Sequence, residues 1–473
     1  MGPEWRWPTV GDLETEFRRA VGVVGSVVPG AVADFLPGAT PRMARRTYAL
    51  ELTSTFFFAL ALTAIDNGVL SVLAKQTYTD VVPEGWLNVC VGLLGAMDAG
   101  ANILSFAWLS MGQGRPKIPF VNVLQLGVIA TVGAIALLPQ TPVGLILLVL
   151  LALVARSCWS GILTIRPTVW RSTYPPGMRA SIVGRFSTIQ LIVVSVGGAL
   201  LGRLLKQDAG WFGPIVGGAG FLSLFAVLAT SRIRVRREAR QLRNERAGGG
   251  LMKPWHGPAV VWKVLRKDRR YAQFQVCMTI LGFANLMVNP ILAITLKEQF
   301  DLNIFASILI TSTLQQGAQI FAIPMWARML DRMHVVRFRA VHSWLFTLSG
   351  TILVLGASLH RVEFLYVAAV LMGVAYGGGA IAWHLGHVDF APPSETSQYM
   401  AAHVTLNGVR GLVAPLVAVS LYEAFKGAGM DAPAWVLGVS LGVSVSGALG
   451  FVMLSRSMER EMAERDPRSR RAG

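Results

Sequence analysis

Apolar runs of about 20 residues recur along almost the whole chain, each long enough to cross ~30 Å of hydrocarbon as a helix. They are predicted at 49–72, 86–110, 118–138, 142–166, 180–204 and 210–231, then at 271–296, 304–327, 339–358, 363–386, 399–424 and 433–455. Lipid offers no water to an unpaired N–H or C=O, so the runs must be helices. Only 15% of the 473 residues are charged, and mean hydropathy is +0.52. A single soluble core stops growing near ~250–300 residues and cannot absorb twelve such runs. The expected fold is therefore an all-α membrane protein of twelve spans.

Charge sets orientation. Excluding three Arg inside the spans (Arg156, Arg185 and Arg410), Lys and Arg divide 34 to 6 between the two sets of connecting segments. The positive-inside rule then puts both termini in the cytoplasm of a multi-pass protein, as expected for a bacterial inner (plasma) membrane. The same asymmetry accounts for a net charge of +17 without nucleic acid as a partner. Trp86, Trp170, Trp211, Trp326 and Trp435 lie near span ends and are expected in the interfacial belts. Cys90, Cys158 and Cys277 are dispersed in apolar runs and have no disulfide or zinc spacing.

A polar segment, 232–270, divides the spans six and six. The expected units are an N-terminal segment 1–47, a six-helix bundle 48–231, a linker 232–270, a second bundle 271–455 and a tail 456–473. Residues 1–47 lack a convincing signal-peptide pattern, because Pro29 and Asp34 interrupt the apolar stretch, and read as an interfacial segment. Within the linker, Val260, Val261, Trp262, Val264 and Leu265 alternate with Lys263, Arg266 and Lys267, which predicts an amphipathic helix on the inner leaflet. The bundles read as repeats: Tyr174-Pro175-Pro176 recurs as Ala391-Pro392-Pro393, and the same offset sets Asp98 against Gln315 and Gln316.

Several partial motifs sit on this frame. Asp331-Arg332 follows span 8, with basic residues shifted to Arg337 and Arg339. Gly114-Arg115-Pro116-Lys117 follows span 2, where Met111 stands at the acidic position. Arg156 and Gly161 lie in span 4, and Pro175-Pro176-Gly177-Met178-Arg179 leads to Gly184. With the twelve spans, these residues make the chain resemble the major facilitator superfamily over nearly its whole length. That resemblance implies two six-helix pseudo-repeats, alternating access, and Arg179, Asp331 and Arg332 as gating residues. The incomplete first-half loop leaves a second reading open, a non-transporting assembly factor or sensor on the same scaffold.

Ionisable side chains within spans are costly and therefore expected to be functional. By helix rise, Asp98 and Arg156 share a level and are expected to pair. The resemblance to proton-coupled sugar carriers instead favours Asp66 as the neighbour of Arg156. Either carboxylate is a candidate for coupling to protons. Arg410 has no acidic residue at its depth in the second half and is a candidate reader of an anionic solute, the alternative being that it bonds backbone carbonyls or a helix C-terminus. Asn285 and Asn289 share a face of span 7, and Gln315, Gln316 and Gln319 cluster in span 8. The expected site therefore comprises Asp66, Asp98, Arg156, Asn285, Asn289, Gln315, Gln316, Gln319 and Arg410. His384, His387 and Asp389 have a weak metal-like spacing outside the expected cavity, and a gate with His403 is the preferred reading. No Walker loop, nucleophile elbow or zinc-protease helix occurs, so neither an enzyme, a cofactor nor a resident metal is expected. The expected activity is secondary transport of a small polar or anionic solute.

Overall fold

A computed structural model describes residues 42–465, apart from 175, 237, 248–256, 331, 388 and 393–395. The interfacial segment expected within 1–47 falls mainly outside the described residues. Among the described residues, eleven helices are long and apolar enough to cross a membrane. The twelfth span, number 8 in chain order, is built from three short pieces: Ile304–Ile308, a π-turn at Leu309–Thr313, and Leu314–Leu330.

Spans 1 to 6 are Arg42–Ala64 continuing as Asn67–Thr77, Glu84–Gly100 continuing to Gly112, Lys117–Ile135, Pro142–Thr173, Pro176–Gln207 and Phe212–Ser231. Spans 7 and 9 to 12 are Arg269–Glu298, Val335–Ser358, Val362–Leu385, Thr396–Gly427 and Ala432–Arg465. Most of the sequence-predicted runs lie within these helices; 118–138 runs past Ile135, and 210–231 and 363–386 overrun their helices by a residue or two. Span 1 packs on 5 and 6 and span 3 on 4 and 6; span 12 packs on 7 and 9, and span 10 on 8 and 9.

Buried polar side chains bond across neighbouring helices, as lipid requires. Ser54 meets the Thr230 hydroxyl at 2.7 Å, and the Ser440 hydroxyl donates to the Ala284 carbonyl at 2.9 Å. Small residues allow close approach between the halves. A Cβ on Gly411 of span 11 would lie 2.0 Å from the Ala99 Cβ of span 2. In the linker, Gly257–Lys267 is helical with Val261 and Val264 buried, while Trp262 is exposed under the Arg266 guanidinium at 4.4 Å.

"Proximal" here means the end where the chain enters span 1, and "distal" the opposite end. The halves meet along spans 2 and 11, along spans 5 and 8, and through the distal pieces of spans 1 and 7. The proximal piece of span 1 and spans 4 and 10 are absent from the extensive contacts between halves. The two bundles therefore converge distally and part proximally.

Candidate functional site

Between the halves lies a cavity of about 510 Å³. Its wall includes Asp66, Asp98 and Arg156, together with Asn289, Gln315, Gln316 and Gln319. Asp98 and the two glutamines at the matching offset thus reach one cavity from opposite halves. Asn285, one turn from Asn289, is half-buried outside this lining.

The expected pair forms. Arg156 donates to Asp98 Oδ1 at 2.6 Å, and its other terminal nitrogen donates to the Ile65 carbonyl. Ile65 lies where span 1 breaks, so Arg156 occupies a backbone acceptor freed by the break. The Arg156 side chain is 8% exposed, against 48% for Asp98, so the carboxylate presents one face to the cavity.

Asp66, the neighbour of Arg156 that the family resemblance favoured, lies within electrostatic reach of that guanidinium, but its own hydrogen bonds go elsewhere. It is the N-cap of the distal piece of span 1, with Oδ1 accepting from the Gly68 and Val69 amides at 3.1 and 3.3 Å. Asp is among the residues preferred for this role, since its carboxylate satisfies amide groups left without helical partners. Its Oδ2 accepts from Gln316 Nε2 across the halves at 3.1 Å. A Cβ on Gly68 would sit 2.6 Å from the Thr311 carbonyl oxygen in the π-turn of span 8. The two helices therefore meet closely at their interruptions beside the cavity. Ser195 and Thr313 add reciprocal bonds between spans 5 and 8, at 3.0 and 3.2 Å. Single π-turns inside α-helices are frequent at functional sites.

Arg410 takes the backbone-bonding alternative over the solute-reading one. Its guanidinium donates to the Met278 carbonyl and to Asn407 Oδ1 at 2.7 Å, lying against Gly282. It is absent from the cavity lining, whereas Asn407 is present. Backbone and amide oxygens hold this cation behind the wall; a solute in the cavity meets Asn407.

The expected gating residues are only partly visible. Asp331 and the side chain of Arg179 lie outside the described residues, and Arg332 is exposed in the turn after span 8. Arg339, expected at the basic end of that loop, is buried inside span 9 and reaches the Gly379 carbonyl at 3.4 Å. Trp326 is also internal, since its indole donates to the Val374 carbonyl at 2.8 Å instead of sitting in an interfacial belt. At the start of span 9, burial lowers the His334 pKa, which favours the neutral ring whose Nδ1 accepts from the Val336 amide at 3.2 Å. His403 bonds Gln275 at 3.3 Å and stacks edgewise on Trp383. Among the described residues, no group of three His, Cys, Asp or Glu could hold a metal ion.

Sequence reasoning missed a set of residues at the distal end. Lys75, placed by sequence in a loop, is in the distal piece of span 1 and its side chain is 1% exposed. It donates to Asn88 at 2.6 Å and to Glu298 of the other half. Glu298 also accepts from Lys426 and Tyr422, both at 2.7 Å. Lys426 meets Glu84 at 2.6 Å, and the Asn88 amide donates to Glu423 at 2.6 Å. Spans 1 and 2 are thereby tied to spans 7 and 11 by a charged latch. The only available sequence signal was charge at the distal ends of four spans.

A helical membrane protein with its cavity between two six-span halves is the class that fold and site define. The sequence model of the Major Facilitator Superfamily matches residues 274–472. Solved structures with the same fold include a D-xylose–proton symporter, at 12% identity over 86% of this chain and 96% of that one, with a TM-score of 0.65. They also include the nucleoside transporter NupG, at 15% identity over 86% and 98% with a TM-score of 0.62. A peptide transporter POT in complex with sulfate matches at 15% identity over 86% and 95%, with a TM-score of 0.64. No protein of curated function matches by sequence. The second half of the chain thus matches the Major Facilitator Superfamily by sequence, and the chain shares the fold of these transporters.

Proposed function

We propose that the protein is a secondary transporter carrying a small polar solute by alternating access. The observation that carries this reading is a polar cavity lined by both halves whose distal end is closed by a latch between the halves. Rocking about the Gly68–Thr311 contact would part the latch and close the proximal side. With both termini cytoplasmic, the latch faces outward and the parted bundles face inward.

Asp98 is the proposed coupling group. Protonation removes the charge that Arg156 pairs with, so the interaction between spans 2 and 4 weakens as a proton binds. Asp66 serves instead to cap the broken helix. The position of Arg410 behind Asn407 favours the polar over the anionic form of the substrate reading. The amide-rich cavity likewise favours transport over a non-transporting sensor or assembly role. Proteoliposome uptake tests the proposal: a solute that binds the purified protein should enter vesicles and exchange with unlabelled solute inside. Binding without uptake or exchange would refute it.

A further inference from the structure

We propose that the solute is a neutral, polyhydroxylated ring compound; this rests on the transporter reading and specifies its substrate class. Four carboxamides carry the argument. Asn102 and Gln190 line the cavity from the first half, and Asn289 and Gln319 from the second. All four are half-buried, and among the described residues none finds a hydrogen-bond partner. Each carboxamide offers one acceptor and two donor hydrogens with no net charge. A hydroxyl group is also both donor and acceptor. Adjacent ring hydroxyls can therefore engage both ends of one carboxamide, whereas a carboxylate or phosphate uses only the donors and an ammonium only the acceptor.

The charged lining is already engaged. Its charged side chains are Asp66, Asp98 and Arg156. Arg156 bonds Asp98 and a carbonyl, while Asp66 caps a helix and accepts from Gln316. With all three ionised, the wall carries one excess negative charge, which disfavours anions. The guanidinium of Arg410, the nearby cation of the second half, is spent on Met278 and Asn407. Tyr376 and Trp383 contribute aromatic surface to the same wall, suited to the C–H face of a sugar or the plane of a base. The cavity volume of about 510 Å³ falls within the ~300–1,000 Å³ typical of small-molecule pockets.

Matched probes test the class. Glucose, maltose, uridine and adenosine form the neutral arm. Gluconate, glucose 6-phosphate, uridine monophosphate and glucosamine keep similar rings or chains but add charge. Thermal stabilisation of the full-length protein in detergent should appear with a neutral member and be at least tenfold weaker with its charged counterpart. Sugars alone or nucleosides alone would identify the source of the hydroxyls. Gln190→Leu and Asn289→Leu, one from each half, should each weaken the same solute about tenfold, the scale of one lost neutral hydrogen bond. Cooperative melting of the free variants confirms that they fold. Preference for a charged member, or stabilisation by none of the probes, overturns the inference. A charged solute that is bound and taken up overturns the class while leaving transport intact. A neutral solute that is bound but never exchanged upholds the class and overturns transport.

Discussion

Replacing Glu298 by Gln should open the distal end. Glu298 is the shared acceptor of the latch, contacted by Lys75, Lys426, Tyr422 and Asn88. A glutamine at this position could keep neutral contacts but would remove the charge facing two ammonium groups. Lys426 is 40% exposed, so its part is small, at most ~1 kcal/mol. Lys75 is almost fully buried, and its remaining carboxylate, Glu84, is 3.9 Å away and half exposed. Leaving a buried charge without its partner costs ~3–5 kcal/mol, and the Asn88 contact retains part of that. A net loss of ~3 kcal/mol would shift the balance between distally closed and open states about a hundredfold. Spin labels at the exposed residues Asp80 and Asp431 would report it, after Cys90, Cys158 and Cys277 are replaced by Ser. The short-distance population should fall in Glu298→Gln and recover in part when Lys75→Glu is paired with Glu298→Lys. Unchanged distances in Glu298→Gln would refute the latch.

Asp98→Asn should abolish solute accumulation driven by a proton gradient while leaving solute exchange in proteoliposomes; undiminished accumulation removes Asp98 as the coupling group. Asp66→Asn should melt within a few degrees of wild type, because Asn caps as well as Asp, whereas Asp66→Ala should lose ~1 kcal/mol or more; equal melting temperatures would rule out the capping role. Gly68→Ala would set a methyl carbon 2.6 Å from the Thr311 carbonyl, an overpacking cost of ~1–3 kcal/mol against the closed distal end. It should lengthen the distance between the Asp80 and Asp431 labels, and no change would show that this contact is not a pivot.

What could be read from sequence followed from the physics of each helix alone. Runs of apolar residues gave the spans, and helix rise brought Asp98 level with Arg156. The amides of spans 7 and 8 pointed to the cavity because polarity in lipid needs a reason. What could not be read depended on a partner from another helix. Lys75 and Glu298 are 223 residues apart, and nothing local marks them as a pair. Asp66 was read as a coupling charge and not as a helix cap, because the apolar run continues on both sides of the break after Ala64. For Arg410 a count of acidic residues left two alternatives open, a solute anion or backbone acceptors, because it detects neither the Met278 carbonyl nor the Asn407 amide. Glu51 escaped notice at the edge of span 1, yet it is buried and accepts from the Trp170 indole at 2.6 Å.

Alternating access can be tested by stapling the distal end shut. A Cβ built on Gly92 of span 2 lies 3.5 Å from the Val419 Cβ of span 11, within the range a disulfide spans. Gly92→Cys with Val419→Cys, in a background where the three native cysteines are Ser, should form that bond on oxidation. Oxidised protein in proteoliposomes should still bind solute from the proximal side but neither take it up nor exchange it, and a reductant should restore both. Uptake at an undiminished rate with the disulfide demonstrably formed would contradict the account.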